Sequence, residues 1–197
     1  MINEHEYRAH IIRPEEQVNN MNMSMINKIN TAKFFKNKEF ENINNLLIDI
    51  SKKLFIEAYT NGGKEAGAVL NIDNLKYGIK KATNYNEVYF GDNKSTDDNE
   101  CYKIMSESDN YSYMTIHTHN DISYFSVTDV CSLLDDDKVI SISVINSNAD
   151  IFILIKDKSK DYSTVKEYRD NMLQDYITPD FRKVMEENGL VIRRITL

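Results

Sequence analysis

Two of the four histidines in this chain, His117 and His119, stand one residue apart at the end of an apolar run. Along a β-strand, positions i and i+2 face the same side, so both imidazoles can reach one point in space. Histidine is the commonest zinc ligand, and a catalytic zinc takes three protein ligands plus an open position for water. Asp129 fits as the third ligand, because it falls in the first turn of the helix expected next. Ser126 precedes it by three residues. Ser-x-x-Asp ahead of Val130, Leu133 and Leu134 is also the pattern of a capping box with Ser126 as N-cap. A cap and a ligand are compatible, since a capped first turn holds its carboxylate in place. Alone, each fragment has an ordinary reading. Together, within thirteen residues and after an apolar strand, they point to a hydrolytic zinc centre.

The elements that would position these residues follow from hydrophobic spacing. In the first third, Val18, Met21, Met25 and Ile29 recur at three- and four-residue steps after Pro14, which suits a first helical turn. The Met-rich stretch over residues 21–25 reads as packing rather than as a partner surface. Phe40, Ile43, Leu47, Ile50 and Leu54 form a stronger amphipathic pattern that stops at Asn61, Gly62 and Gly63. Residues 1–60 are thus expected as a helical N-terminal extension, and residues 61–197 as the catalytic domain. Within the latter, strands are expected at 66–72, 75–82, 87–90, 113–119, 139–145, 151–155 and 190–195. A polar loop covers 91–99. Helices are expected at 99–108 and 126–134, with a long helical stretch at 163–188 broken near Pro179. Helices mixed with short apolar strands make a mixed α/β fold.

The string Ile116-His117-Thr118-His119, six residues, then Ser126-Val127-Thr128-Asp129 resembles the motif of the JAMM (JAB/MPN+) zinc metalloproteases. The resemblance covers roughly residues 60–160. It implies an MPN-like sheet flanked by helices, similar to cytidine deaminases, and hydrolysis of peptide or isopeptide bonds, typically at a ubiquitin-like tail. It further implies that His117, His119 and Asp129 hold Zn2+, with Ser126 beside the metal-bound water to stabilise the oxyanion. The family's general base is a Glu on an earlier strand. Glu65, ahead of Ala66-Gly67-Ala68-Val69-Leu70, is the first choice. Glu87 in Asn86-Glu87-Val88-Tyr89 is the second, and Glu100 a more distant third. The chain departs from the family pattern at Asn120, where proline is usual, and in a short loop ending Phe125-Ser126.

Composition excludes several other classes. A formal net charge of −7, with only short basic runs such as Lys80-Lys81 and Arg193-Arg194, argues against a nucleic-acid surface. Two separated cysteines, Cys101 and Cys131, make neither a disulfide framework nor a thiolate zinc site, so a reducing cytoplasm is the expected compartment. Residues 1–13 lack an apolar signal core, and no run is long enough to span a bilayer. Multi-metal hydrolases that open with His-x-His need further histidines, and only His5 and His10 remain, both in a charged segment. Deaminases need His-x-Glu and Pro-Cys-x-x-Cys, which are absent. Cys131 among Val130, Leu133 and Leu134 reads as a buried thiol rather than a nucleophile. The remaining rival is an MPN-type scaffold that binds protein partners without catalysis.

Overall fold

The computed structural model describes residues 18–81 and 96–197, the side chains of residues 96–99 excepted. Pro14, His5, His10, Glu87, the strand expected at 87–90 and most of the 91–99 loop lie outside the described residues.

The most strongly β-forming runs, Val-Ile-Ser-Ile-Ser-Val-Ile and Ile-Phe-Ile-Leu-Ile, become strands at the expected bounds. They join four others: β1 (Ala66–Asn71), β2 (Tyr77–Lys81), β3 (Tyr113–Thr118), β4 (Val139–Ile145), β5 (Ile151–Ile155) and β6 (Arg193–Arg194). Together they make one mixed six-stranded sheet in the order β2-β1-β3-β4-β5-β6. Among the described residues only the β3–β4 pair is parallel, and α3 (Val127–Asp135) connects its two strands. Every residue of β3 is buried, as a central strand covered on both faces requires.

Alternation along β3 sorts its side chains between two apolar layers. Tyr113 points into a cluster with Val130, Leu133, Val144, Val165 and Phe181. That layer is built by α2 (Thr96–Glu107), α3, α4 (Ser163–Asp170) and α5 (Pro179–Glu187). Met114 and Ile116 point the other way, into a cluster with Leu47, Ile50, Leu54 and Phe55 of α1 (Glu41–Thr60). Each such fully buried side chain contributes about 1.5–3 kcal/mol of hydrophobic stabilisation. In its described part, the segment expected as an N-terminal extension is therefore one layer of the core.

Local outcomes differ from the sequence reading, the last strand included, which spans only Arg193–Arg194 of the expected 190–195. Residues 23–31 form a 3-10 helix rather than an α-helix, with Asn22 accepting from the backbone N–H of Ser24 at 3.2 Å. Asparagine is a weak helix former that competes for backbone partners, and this stretch has Asn27 and Asn30 behind the Asn22 cap. Val18, expected on the apolar face, is 70 % exposed, whereas Met21 is buried in the core. The long C-terminal stretch is two helices separated by residues 171–178, a wider break than Pro179 alone suggests. The stop after α1 is as expected: Gly62 and Gly63 take positive φ, and the Gly63 N–H donates to the Ala58 carbonyl at 2.8 Å. Among the described residues, no helix is long and apolar enough to cross a membrane.

Candidate metal centre

His117 sits in the last turn of register of the central strand, opposite Gly67 of β1 and Val144 of β4. Its alternation places it on the α3 side of the sheet. His119 lies just beyond β3, but its N–H still donates to the Ile145 carbonyl at 2.9 Å, so the extended geometry continues through it. Both rings therefore lean toward the start of α3, where Asp129 occupies the third helical position. The His117 and His119 Nε2 atoms are 3.0 Å apart. Asp129 Oδ1 is 3.1 Å from His117 Nε2, and Oδ2 is 3.7 Å from His119 Nε2.

These separations fit a metal. Tetrahedral ligand atoms at about 2.0–2.1 Å from zinc stand about 3.3 Å from one another. Two imidazole nitrogens and a carboxylate oxygen pointing at one spot repel each other unless a cation or a proton lies among them. The His117, His119 and Asp129 side chains are only 8 %, 13 % and 12 % exposed, so water screens that repulsion poorly. A buried His-His-Asp group able to hold a metal ion is thus a feature of the structure.

Electrostatics separates the roles of the two histidines. Burial pulls the His117 proton affinity down, but the Asp129 charge and hydrogen bond outweigh it, helped by Glu65, and the pKa rises above its ordinary value. His119 is pushed down to about 4, first by burial and then by the His117 charge. Asp129 is disfavoured as an anion by burial, yet His117, His119 and the Ser126 N–H hold its carboxyl well below the usual carboxylate range. One proton shared over three acceptors is the arrangement a divalent cation would replace.

Ser126 makes the full capping box. Its Oγ accepts from the Asp129 N–H at 3.1 Å, and Asp129 Oδ2 accepts from the Ser126 N–H at 2.7 Å. The Ser126 hydroxyl also donates to Oδ2 at 2.8 Å. Oδ2 is therefore engaged, and Oδ1 is the oxygen turned to His117. The far end of α3 is held by buried Lys156, whose Nζ donates to the carbonyls of Leu133 and Asp136 at 3.0 and 2.8 Å. A cation suits a helix C-terminus.

Compared with known proteins, the chain matches no family model, no curated protein and no solved structure.

Glu65 is half-buried and lies just before β1, two residues ahead of Gly67, the partner of His117. Its charge acts on His117, which puts it near the centre. Glu100 is exposed on α2. Three further residues matter that the sequence reading passed over. The His119 Nδ1 is 3.0 Å from the Ser123 Oγ, and that hydroxyl donates to Asp121 Oδ1. With its hydrogen committed to Asp121, Ser123 can only accept from the His119 Nδ1–H, which leaves Nε2 unprotonated and facing the other ligands. Thr118, between the two histidines but on the opposite face, accepts the Ala66 N–H on its Oγ1 at 2.9 Å and so fastens the start of β1 to the end of β3. Isolated serines, threonines and aspartates in a polar loop carry no periodic signal. Only the Asp-x-Ser spacing at 121–123, which suits a side-chain-capped turn, hints at the first pair.

Proposed function

We propose that this chain is a zinc-dependent hydrolase of the JAMM type, built on an MPN-like sheet, that cleaves a peptide or isopeptide bond in a protein substrate. A ubiquitin-like tail is the substrate class the motif favours. The observation that carries the reading is the convergence of His117 Nε2, His119 Nε2 and the Asp129 carboxylate at the end of the central strand, 3.0–3.7 Å from one another. Zinc held there supplies a Lewis acid and a water acidic enough to ionise near pH ~7.

The chain's own groups would do the rest. Glu65, just before β1, takes the proton of the attacking water and returns it to the leaving amine. The Ser126 hydroxyl can turn toward a developing oxyanion only by releasing Asp129 Oδ2, so its contribution belongs to the transition state rather than the resting site. Asp121 and Ser123 keep the His119 ring in the ligating tautomer.

The test is elemental analysis of the purified protein and of His117→Ala, paired with hydrolysis of ubiquitin-like fusion and peptide substrates by the native protein and Glu65→Gln. The reading expects one zinc per native chain, loss of zinc in His117→Ala, and retained zinc with turnover lost in Glu65→Gln. A native protein without zinc would sink the hydrolase. Zinc bound without any turnover would favour a partner-binding scaffold, and full activity in Glu65→Gln would move the base to another carboxylate.

A further inference from the structure

The helix that carries Asp129 is held at its start from a distant part of the chain. An α-helix leaves its first four N–H groups without intrahelical partners. In α3 these belong to Ser126, Val127, Thr128 and Asp129. The capping box serves the first and the last. The middle two are served by Asp175, 47 residues further along: its carbonyl accepts from the Val127 N–H at 3.3 Å, and its Oδ1 accepts from the Thr128 N–H at 3.0 Å. The same Oδ1 accepts from the Thr128 hydroxyl at 3.0 Å. An antiparallel bridge between Ser126 and Tyr176 extends the contact by one residue.

Asp175 is itself fixed from both sides. Residues 171–178 run from Asn171, at the end of α4, to Thr178, which caps α5 by accepting the Phe181 N–H, with Pro179 at the first helical position. This segment therefore reaches the metal centre from a preset direction. What it holds is the rotation of the first turn of α3, and that rotation decides where Asp129 Oδ1 points. Oδ2 is already taken by Ser126, so a small twist of the turn moves the carboxylate as one body.

We propose that Asp175 is a positioning residue of the metal centre, fixing Asp129 and Ser126 through the Val127 and Thr128 N–H groups. The inference rests on the metal-centre reading above and adds the residue that orients its carboxylate ligand. Asp175 touches no ligand atom and is exposed, so its effect reaches the metal only through α3.

Cobalt(II), whose visible absorption reports ligand geometry, is the probe. Native protein, Asp175→Ala and Asp175→Asn are titrated with cobalt alone, and thermal midpoints are recorded with and without it. The expected result is an affinity about tenfold weaker and an altered absorption band in Asp175→Ala, the size of effect seen when partners of metal ligands are removed. Asp175→Asn should restore both, because its amide oxygen accepts the same two side-chain bonds, from the Thr128 N–H and hydroxyl, while the Val127 N–H keeps the backbone carbonyl of residue 175 in every variant. A native affinity and spectrum in Asp175→Ala would overturn the proposal, as would an Asn variant as impaired as the Ala. A lowered melting midpoint with unchanged cobalt binding would make Asp175 a staple only. Native protein that binds no cobalt would instead remove the metal centre itself, and the role of Asp175 with it.

Discussion

His117 and His119 bring their Nε2 atoms to 3.0 Å of each other, a distance two lone pairs accept only with a cation or proton between them. Burial lowers the His117 proton affinity but Asp129 outweighs it, so the metal-free site holds that proton to higher pH than an ordinary imidazole. A metal must displace it. Binding of zinc should therefore strengthen as pH rises through the elevated His117 pKa and level off above it. His119, at about 4, is already neutral in this range and adds no dependence. Proton linkage gives a second sign. The stability that His117 lends the metal-free fold is full below 6.5 and is lost as pH rises through its folded pKa. The zinc-induced rise in melting temperature, measured from about pH 5.5 to about pH 8, should thus grow with pH. A gain that shrinks with pH would contradict the assignment of the proton to His117.

Ser123→Ala removes the acceptor that fixes the His119 tautomer. Zinc affinity should fall about 10-fold, at the low end for loss of such a partner, while the melting temperature of the metal-free protein stays near native because Ser123 is exposed. Competition against a chromogenic chelator would measure it. Ser123→Thr, which keeps the hydroxyl, should stay close to native affinity.

Gly63→Ala should destabilise the fold by about 2 kcal/mol, through a strained backbone and a steric clash acting together. Gly63 has φ of 82°, and an added Cβ would meet the Asn120 amide at 2.6 Å. That amide accepts the Asn20 N–H at 2.9 Å and donates to the Val18 carbonyl at 2.8 Å. Asn120, where the resembled family has proline, thus ties residues 18–20 to the loop beside His119. Denaturant unfolding of Gly63→Ala, with Gly62→Ala for comparison, separates the effects: Gly62 shares the positive φ, but nothing lies within 4 Å of its added Cβ.

Ser51→Ala should stabilise the protein by about 1 kcal/mol, since a buried hydroxyl without a partner keeps its desolvation cost. Ser51 is fully buried on α1, and among the described residues its Oγ has no hydrogen-bond partner. Alanine also favours the helix. A lower midpoint in thermal unfolding would mean that the hydroxyl has a role the geometry does not reveal.

The parts of this protein that were legible in its sequence are those that repeat a local rule. β4 and β5 are dense in β-branched residues, and their bounds follow from that alone. His117 and His119 share a face because strands have a period of two, and Asp129 meets them because its helix starts directly after the loop. The illegible parts depend on contacts between distant segments. Nothing near Asp175 in sequence announces that it closes the start of α3. Residues 23–31 show helical spacing, yet they wind as a 3-10 helix whose start is capped by the Asn22 side chain. Glu65 was legible as a choice among carboxylates, and its place near His117 follows only once Gly67 is paired with His117.

The apolar stripe of α1, with Leu47, Ile50, Leu54 and Phe55, is made before the strands it covers, the last of which is β3. The residues between Thr60 and Thr118 take roughly 3 to 12 seconds to synthesise at the usual pace. Through that interval the nascent helix displays a sticky face with no sheet to meet it. Successful production should therefore depend on holding chaperones at the ribosome, and slowing translation past α1 should lower the soluble yield.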